Sequence, residues 1–265
     1  MTAPWTDEKT AAILTQPFMT LLYEAHTLHR AHHHPAEIEA ATLLSIKTGA
    51  CAEDCGYCSQ SGHYQTGVEK EKLLSLEAVL EKAKAAKASG ADRFCMGAAW
   101  RSPPQKAMPE LMAMIQAVKS LGLDTCMTLG MLDKAQALQL RDAGLDYYNH
   151  NLDTSEAYYD KVVTTRSYQD RLNTLAAVSM AGIKLCCGGI LGLGESQADH
   201  IALLTTLANL SPVPQSVPIN CLIPVKGTPL ANSPPVDPID LVRVVATARI
   251  LMPTSRVRLT DGRAS

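Results

Sequence analysis

The sequence lacks a surplus of either charge: 24 Lys and Arg against 26 Asp and Glu leave a formal net charge of −2 over 265 residues. Such a balance offers no electrostatic footprint for a phosphate backbone and no basic stripe for anionic lipid, so nucleic-acid and membrane-surface partners are excluded from the reading. Long hydrophobic runs are also missing, since no stretch approaches the ~18 apolar residues of a spanning helix. The segment Met1-Thr2-Ala3-Pro4-Trp5-Thr6-Asp7-Glu8-Lys9 has neither the basic flank nor the unbroken apolar stretch of a secretion signal. The expectation is a cytoplasmic protein with no membrane partner.

One residue type is abundant without an obvious structural need. A chain of this size buries roughly 75% of its unfolded surface and needs no disulfide staples. In a reducing compartment its eight cysteines point to metal or redox chemistry.

From about residue 75 onward one unit recurs: a helical stretch rich in Ala, Leu and Lys, a glycine, then a short apolar run. Gly90, Gly122, Gly144 and Gly182 stand where a helix would end in the left-handed conformation that glycine adopts at little cost. The spacing predicts strands near 43–48, 93–98, 124–129, 147–151, 184–190, 216–222 and 256–260. Helices fall near 76–89, 107–121, 133–143, 168–181, 197–209 and 238–251. This alternation predicts an α/β fold of parallel βαβ units, a TIM-type (β/α) barrel over 41–265, preceded by a helical extension over 1–40. An open doubly wound sheet is the alternative. Its dinucleotide fingerprint fails, because Gly192-Leu193-Gly194-Glu195-Ser196-Gln197 has Gln197 where a third small residue belongs. About seven of eight barrel units are present, so the expectation is a barrel that is C-terminally incomplete or open along one edge. In the extension, His26, His29, His32, His33 and His34 read more simply as a solvated helix face than as a metal site.

Cys51, Cys55 and Cys58 are spaced C-x3-C-x2-C directly after the first strand. Three thiolates do not complete a tetrahedral zinc site, and the nearest fourth donor is His63. Three cysteines do suit a [4Fe–4S] cluster whose fourth iron keeps open positions, at the strand ends where barrel enzymes place their chemistry. Cys95, Cys126 and Cys186 each follow a helix-ending glycine by four or five residues, so they lie at similar height and are able to share the lumen. Spacing alone does not distinguish such a set from three core cysteines. Cys187 and Cys221 read as packing residues.

Cys51, Cys55 and Cys58, with Tyr57 before the last, resemble the signature of the radical S-adenosylmethionine (SAM) superfamily. The blocks Ser45–Cys51, Phe94–Trp100, Tyr147–Thr154 and Val217–Asn220 together resemble the biotin synthase family, from about residue 10 to the last residues. That resemblance implies sulfur insertion into dethiobiotin to give biotin. The cofactors it implies are SAM, a [4Fe–4S] cluster on Cys51, Cys55 and Cys58, and a sulfur-donating [2Fe–2S] cluster on Cys95, Cys126, Cys186 and Arg258. Arg256, two residues earlier, leaves the arginine assignment ambiguous by spacing alone.

The other implied roles are residue by residue. Asn149, Asn151 and Asn220 would bind substrate, with Asn151 also reaching SAM and Asp153 its ribose, although Asp153 also suits a helix N-cap. Tyr57 and Trp100 would flank adenine or the clusters, Arg171 would pair with the SAM carboxylate, and Ile190 would face adenine. A reduced flavodoxin-type electron donor and a homodimer are the implied partners. Two alternatives stand beside this reading: a truncated, catalytically impaired cluster-binding remnant, and a similar radical SAM enzyme with another substrate.

Overall fold

A computed structural model describes residues 4–260; the ends of the two expected regions, 1–3 and 261–265, lie outside the described residues. The chain opens with helices α1 (Asp7–Leu14) and α2 (Phe18–His32), then strand β1 (Ala41–Lys47). There follow α3 (Leu76–Ala88), β2 (Arg93–Ala98), α4 (Met108–Ser120), β3 (Asp124–Thr128), α5 (Lys134–Asp142) and β4 (Tyr147–Asn149). The rest is α6 (Glu156–Tyr159), α7 (Tyr168–Met180), β5 (Lys184–Cys186), β6 (Gly189–Leu191), α8 (Gln197–Asn209), β7 (Ser216–Cys221), α9 (Pro238–Leu251) and β8 (Arg256–Leu259).

Local chemistry sets the helix boundaries. Ser75 caps α3 by accepting from the Ala78 N–H, and Asp133 with Gln136 forms a reciprocal capping box on α5, as Ser167 with Asp170 does on α7. At the other ends Gly90, Gly122, Gly144 and Gly182 all take positive φ, as their place in the repeat predicts.

All strand pairs are parallel, in a curled, open sheet of seven strand positions. The fifth position is split into β5 and β6. Gly188, at the break, lies so near β7 that a Cβ there would stand 1.8 Å from the Pro218 carbonyl oxygen, and Pro218 has no N–H to continue a regular ladder. The register sets Cys95 opposite Cys126 and Cys126 opposite Tyr147, while Cys186, opposite Asn149, lies two residues further along β5 on the same luminal face. The main core lies between the sheet and its helices, filled by residues such as Phe94, Met96, Leu111, Ile115, Leu185 and Leu204.

Among the described residues β1 pairs only with β2 and β8 only with β7, leaving a seam where Leu43 and Leu259 are 65% and 46% exposed. Glu39, just before β1, links the two sides of the seam by pairing with the fully buried Arg93 of β2 at 2.7 Å and with Arg256 of β8. The N-terminal helices pack on the helical layer: α2 lies on α9, and Arg243 of α9 donates to the Leu14 and Gln16 carbonyls at the end of α1. No helix among the described residues is long and apolar enough to cross a membrane.

Candidate active site

The loop after β1 holds its shape by hydrogen bonds to the segment between α6 and α7. Asp54 accepts from the backbone N–H groups of Thr164 and Thr165, at 2.9 and 3.1 Å, and from both hydroxyls. Gly56 N–H donates to the Val162 carbonyl at 2.8 Å. Against the upward push of burial, the bonds from Thr164 and Thr165 hold the Asp54 carboxyl down at about 2. Cys51, Cys55 and Cys58 are thereby presented on a cavity of about 290 Å³, together with Tyr57, Trp100, Asn149, Asn151, Asp153 and Arg171. Burial pushes the Cys55 thiol up to about 12, against the opposing pull of the Arg171 and Arg166 guanidiniums. A thiol so placed ionises when an added cation or metal centre compensates it.

Asp153 stands at the end of the fourth strand position with φ +69°, a left-handed conformation rare outside glycine that clusters at functional sites. It caps no helix, since α6 takes Ser155 as its N-cap. Its Oδ2 instead accepts from Tyr57 Oη at 2.8 Å and from the buried Arg171. Arg171 also donates from Nε to Tyr159 Oη at 2.9 Å and from Nη1 to the Asn151 carbonyl at 2.6 Å. The guanidinium expected to meet a SAM carboxylate therefore already has its three nitrogens bonded within the protein. Asn151 Oδ1 accepts from Gly188 N–H at 3.1 Å, and the Asp153 carbonyl from Ile190 N–H at 2.7 Å. Ile190 is buried in the main core and lines neither this cavity nor the larger one beside it.

The second trio lies in the lumen. Cys95, Cys126 and Cys186 pack with Tyr147 as a cluster separate from the main core, while Cys187 points into that core, as strand alternation requires. Hydrogen bonding through Cys126 lowers the Cys95 and Cys186 thiols and raises Cys126 itself, and the Arg258 and Arg93 charges add to the lowering at both. The Cys186 thiol also reaches Ser216 Oγ at 3.4 Å. Both β8 arginines line a cavity of about 1320 Å³ with the trio, but Arg256 is committed to Glu39.

That larger cavity and the smaller one are both lined by Asn149, Asn151, Thr128, Gly97 and Leu43. Asn149 Nδ2 donates to Thr128 Oγ1 at 3.1 Å, while its buried Oδ1 has no protein partner. Asn220 lines the larger cavity, and its Oδ1 accepts from the Thr260 hydroxyl.

Among the described residues no three His, Cys, Asp or Glu side chains close on one point as the ligands of a single metal ion do. The His63 Nε2 bonds the Ala52 carbonyl at 3.0 Å, and His63 joins the loop cysteines in no such three-ligand group among the described residues. Iron–sulfur clusters make a different demand, spreading thiolates over several irons and balancing their charge with nearby cations. Each trio fits it: sulfur donors on a cavity wall, with guanidiniums beside them.

Sequence reasoning missed Arg166, His150, Thr164 and Thr165. Arg166 Nη2 reaches Cys55 Sγ at 3.7 Å. His150 is buried, and burial together with Arg171 and Arg166 holds its imidazole well below the usual range. The adjacent threonines in Val162-Val163-Thr164-Thr165-Arg166 were the available signal, but hydroxyls in a loop carry no chemistry until their partner is known.

Together the parallel sheet and the three-cysteine loop at its strand ends define a radical SAM protein, and the Radical SAM superfamily description matches residues 45–207. A second description, Biotin and Thiamin Synthesis associated domain, matches residues 218–265. Biotin synthase of Legionella pneumophila (strain Corby) is 66% identical over 98% of this chain and 82% of its own length. That of Coxiella burnetii (strain Dugway 5J108-111) is 58% identical over 98% and 81%. The chain belongs to the biotin synthase family. Solved structures of methylornithine synthase and of the FeFe-hydrogenase maturase HydG from Carboxydothermus hydrogenoformans share its fold. Their TM-scores are 0.81 and 0.82, at 18% and 19% identity, each over 97% of this chain and over 76% and 62% of theirs.

Proposed function

We propose that this chain converts dethiobiotin to biotin by radical insertion of sulfur. In this reading Cys51, Cys55 and Cys58 hold a [4Fe–4S] cluster that binds SAM, and Cys95, Cys126, Cys186 and Arg258 hold a [2Fe–2S] cluster. The observation that carries it is the pair of adjoining cavities, one presenting each trio, with Asn149 and Asn151 on both walls. A substrate held there lies between the two sulfur sets. When bound, the clusters and SAM supply a hydrogen-abstracting radical and the sulfur, chemistry that no acid or base of the protein provides at a saturated carbon.

The chain's own residues position the reactants. Asn149 Oδ1, buried without a protein partner, accepts from a ureido N–H of dethiobiotin, and Asn220 and Asn151 complete the amide set. Asp153 spends Oδ2 on Tyr57 and Arg171, which leaves Oδ1 for ribose hydroxyls. Arg171 then serves SAM by fixing Asp153 and the Asn151 carbonyl. Trp100 and Tyr57 wall the SAM side, and Ile190 sets the backbone beside Asp153 from within the core. A reduced flavodoxin-type electron donor, a homodimer and a cytoplasmic location complete the proposal.

Anaerobic reconstitution with iron and sulfide, followed by SAM, a reductant and dethiobiotin, tests it. The expected result is biotin, accompanied by loss of the [2Fe–2S] absorption. A cubane with no [2Fe–2S] signature, even under gentle reconstitution, removes the sulfur-donor assignment. Failure to rescue a biotin-requiring cell that lacks its own biotin synthase removes the activity.

A further inference from the structure

Two guanidiniums approach the Cys55 side of the loop, and they are not equivalent. Arg171 is neutralised by its ion pair with Asp153, and all three of its nitrogens are bonded to Tyr159, Asn151 and Asp153. Arg166, half-buried on the wall of the smaller cavity, makes no salt bridge among the described residues. Its Nε donates to the fully buried Tyr159 Oη at 3.3 Å, which aims Nη2 at Cys55 Sγ, 3.7 Å away. No other side-chain nitrogen among the described residues donates to a sulfur of the loop trio. The bonds of Thr164 and Thr165 to Asp54 keep donor and sulfur on one rigid unit. A free side chain would drift to solvent; the bond to Tyr159 holds this one against the sulfur.

We infer that Arg166 is a positioning residue that sets the reduction potential of the cluster on the loop, by an N–H···S bond and an uncompensated charge beside Cys55. The physical reason is one of sign. Gaining one electron makes the cluster and its thiolates more negative, and a fixed cation with an N–H aimed at a ligand sulfur stabilises that state over the oxidised one. Arg166 thus makes the cluster easier to reduce, and the electron comes from an external one-electron reductant. This inference rests on reading the loop trio as cluster ligands.

The test is an anaerobic, mediator-buffered potential titration of the reconstituted full chain without SAM, following the paramagnetic signal of the reduced cubane per bound iron. At a fixed potential Arg166→Met is expected to lower the reduced-to-oxidised ratio roughly tenfold, equivalent to about 59 mV for one electron. Arg166→Lys keeps a charge but cannot bridge Tyr159 Oη and Cys55 Sγ, so its midpoint falls between the two. If Arg166→Met takes up no iron, Arg166→Lys decides alone, because any downward shift there supports the inference. A midpoint equal to wild type in a loaded variant overturns it. Absence of any cubane signal in the wild-type chain instead overturns the cluster reading, so the two failures are distinct.

Discussion

Cys51, Cys55 and Cys58 lie on one loop, where their spacing alone suggests a cluster, whereas Cys95, Cys126 and Cys186 come from three strands and meet only because the curled sheet brings them together around Tyr147. The loop trio takes its geometry from hydrogen bonds to Thr164, Thr165 and Val162, and its charge balance from Arg166 and Arg171. The luminal trio takes its geometry from the sheet and its charge balance from Arg93 and Arg258. One site is therefore local chemistry pinned to a scaffold, and the other is the scaffold itself. Damage to the pins should release the first and spare the second.

Two ligand substitutions separate the trios most strongly. Cys55→Ser is expected to remove roughly four irons per chain and all turnover while leaving the luminal cluster, and Cys126→Ala to remove roughly two and leave the cubane. Iron and sulfide counts with absorption spectra check both. Next comes Asp153→Asn, which strands the Arg171 charge in the interior and should cost about 3 kcal/mol of stability by chemical denaturation, along with SAM binding measured by titration. Asp54→Ala should cost about 2 kcal/mol through the lost bonds from Thr164 and Thr165. It should also speed iron loss from the loop in a chelator chase, with the luminal iron unaffected.

The smallest effect is one of pH. The Asp146 carboxyl is held below its usual value: burial pushes it up, but Lys119 at 2.6 Å and the Thr125 N–H and hydroxyl outweigh that push. A carboxylate lowered by folding contributes stability that is present above its unfolded value, about 3.9, and lost as pH falls through its lower folded value. Asp146 ties β4 to β3 beside Cys126, so Asp146→Asn should cost about 1 kcal/mol at pH 7. That gap should close as denaturation midpoints are followed to acid.

Much of the fold was legible in the sequence because the repeat is punctuated by backbone chemistry. Gly90, Gly122, Gly144 and Gly182 mark helix ends through a conformation other residues avoid, and the strands follow directly. The break between β5 and β6 was not legible, because it arises from the close approach of Gly188 to Pro218 on a strand distant in sequence. The loop trio was readable from spacing, whereas the luminal trio needed either family resemblance or the register. The Asp153–Arg171–Tyr57 network was hidden because a helix arginine reads as solvated until the fold shows what it is buried against, and Arg166, in the loop before α7, was hidden because its partners Tyr159 and Cys55 are set by the fold. Arg93 makes the point most clearly, being fully buried yet looking like an ordinary strand-end charge in the sequence.

In the proposed assignment two separate iron–sulfur clusters occupy two differently built trios. Mössbauer spectroscopy of the chain reconstituted with isotopically enriched iron tests it most directly. Two subspectra, cubane and [2Fe–2S], are expected in a ratio of roughly two to one. Cys126→Ala is expected to remove only the smaller one. A single cubane subspectrum in the wild-type chain, or loss of both from Cys126→Ala in a protein that remains folded, would contradict it.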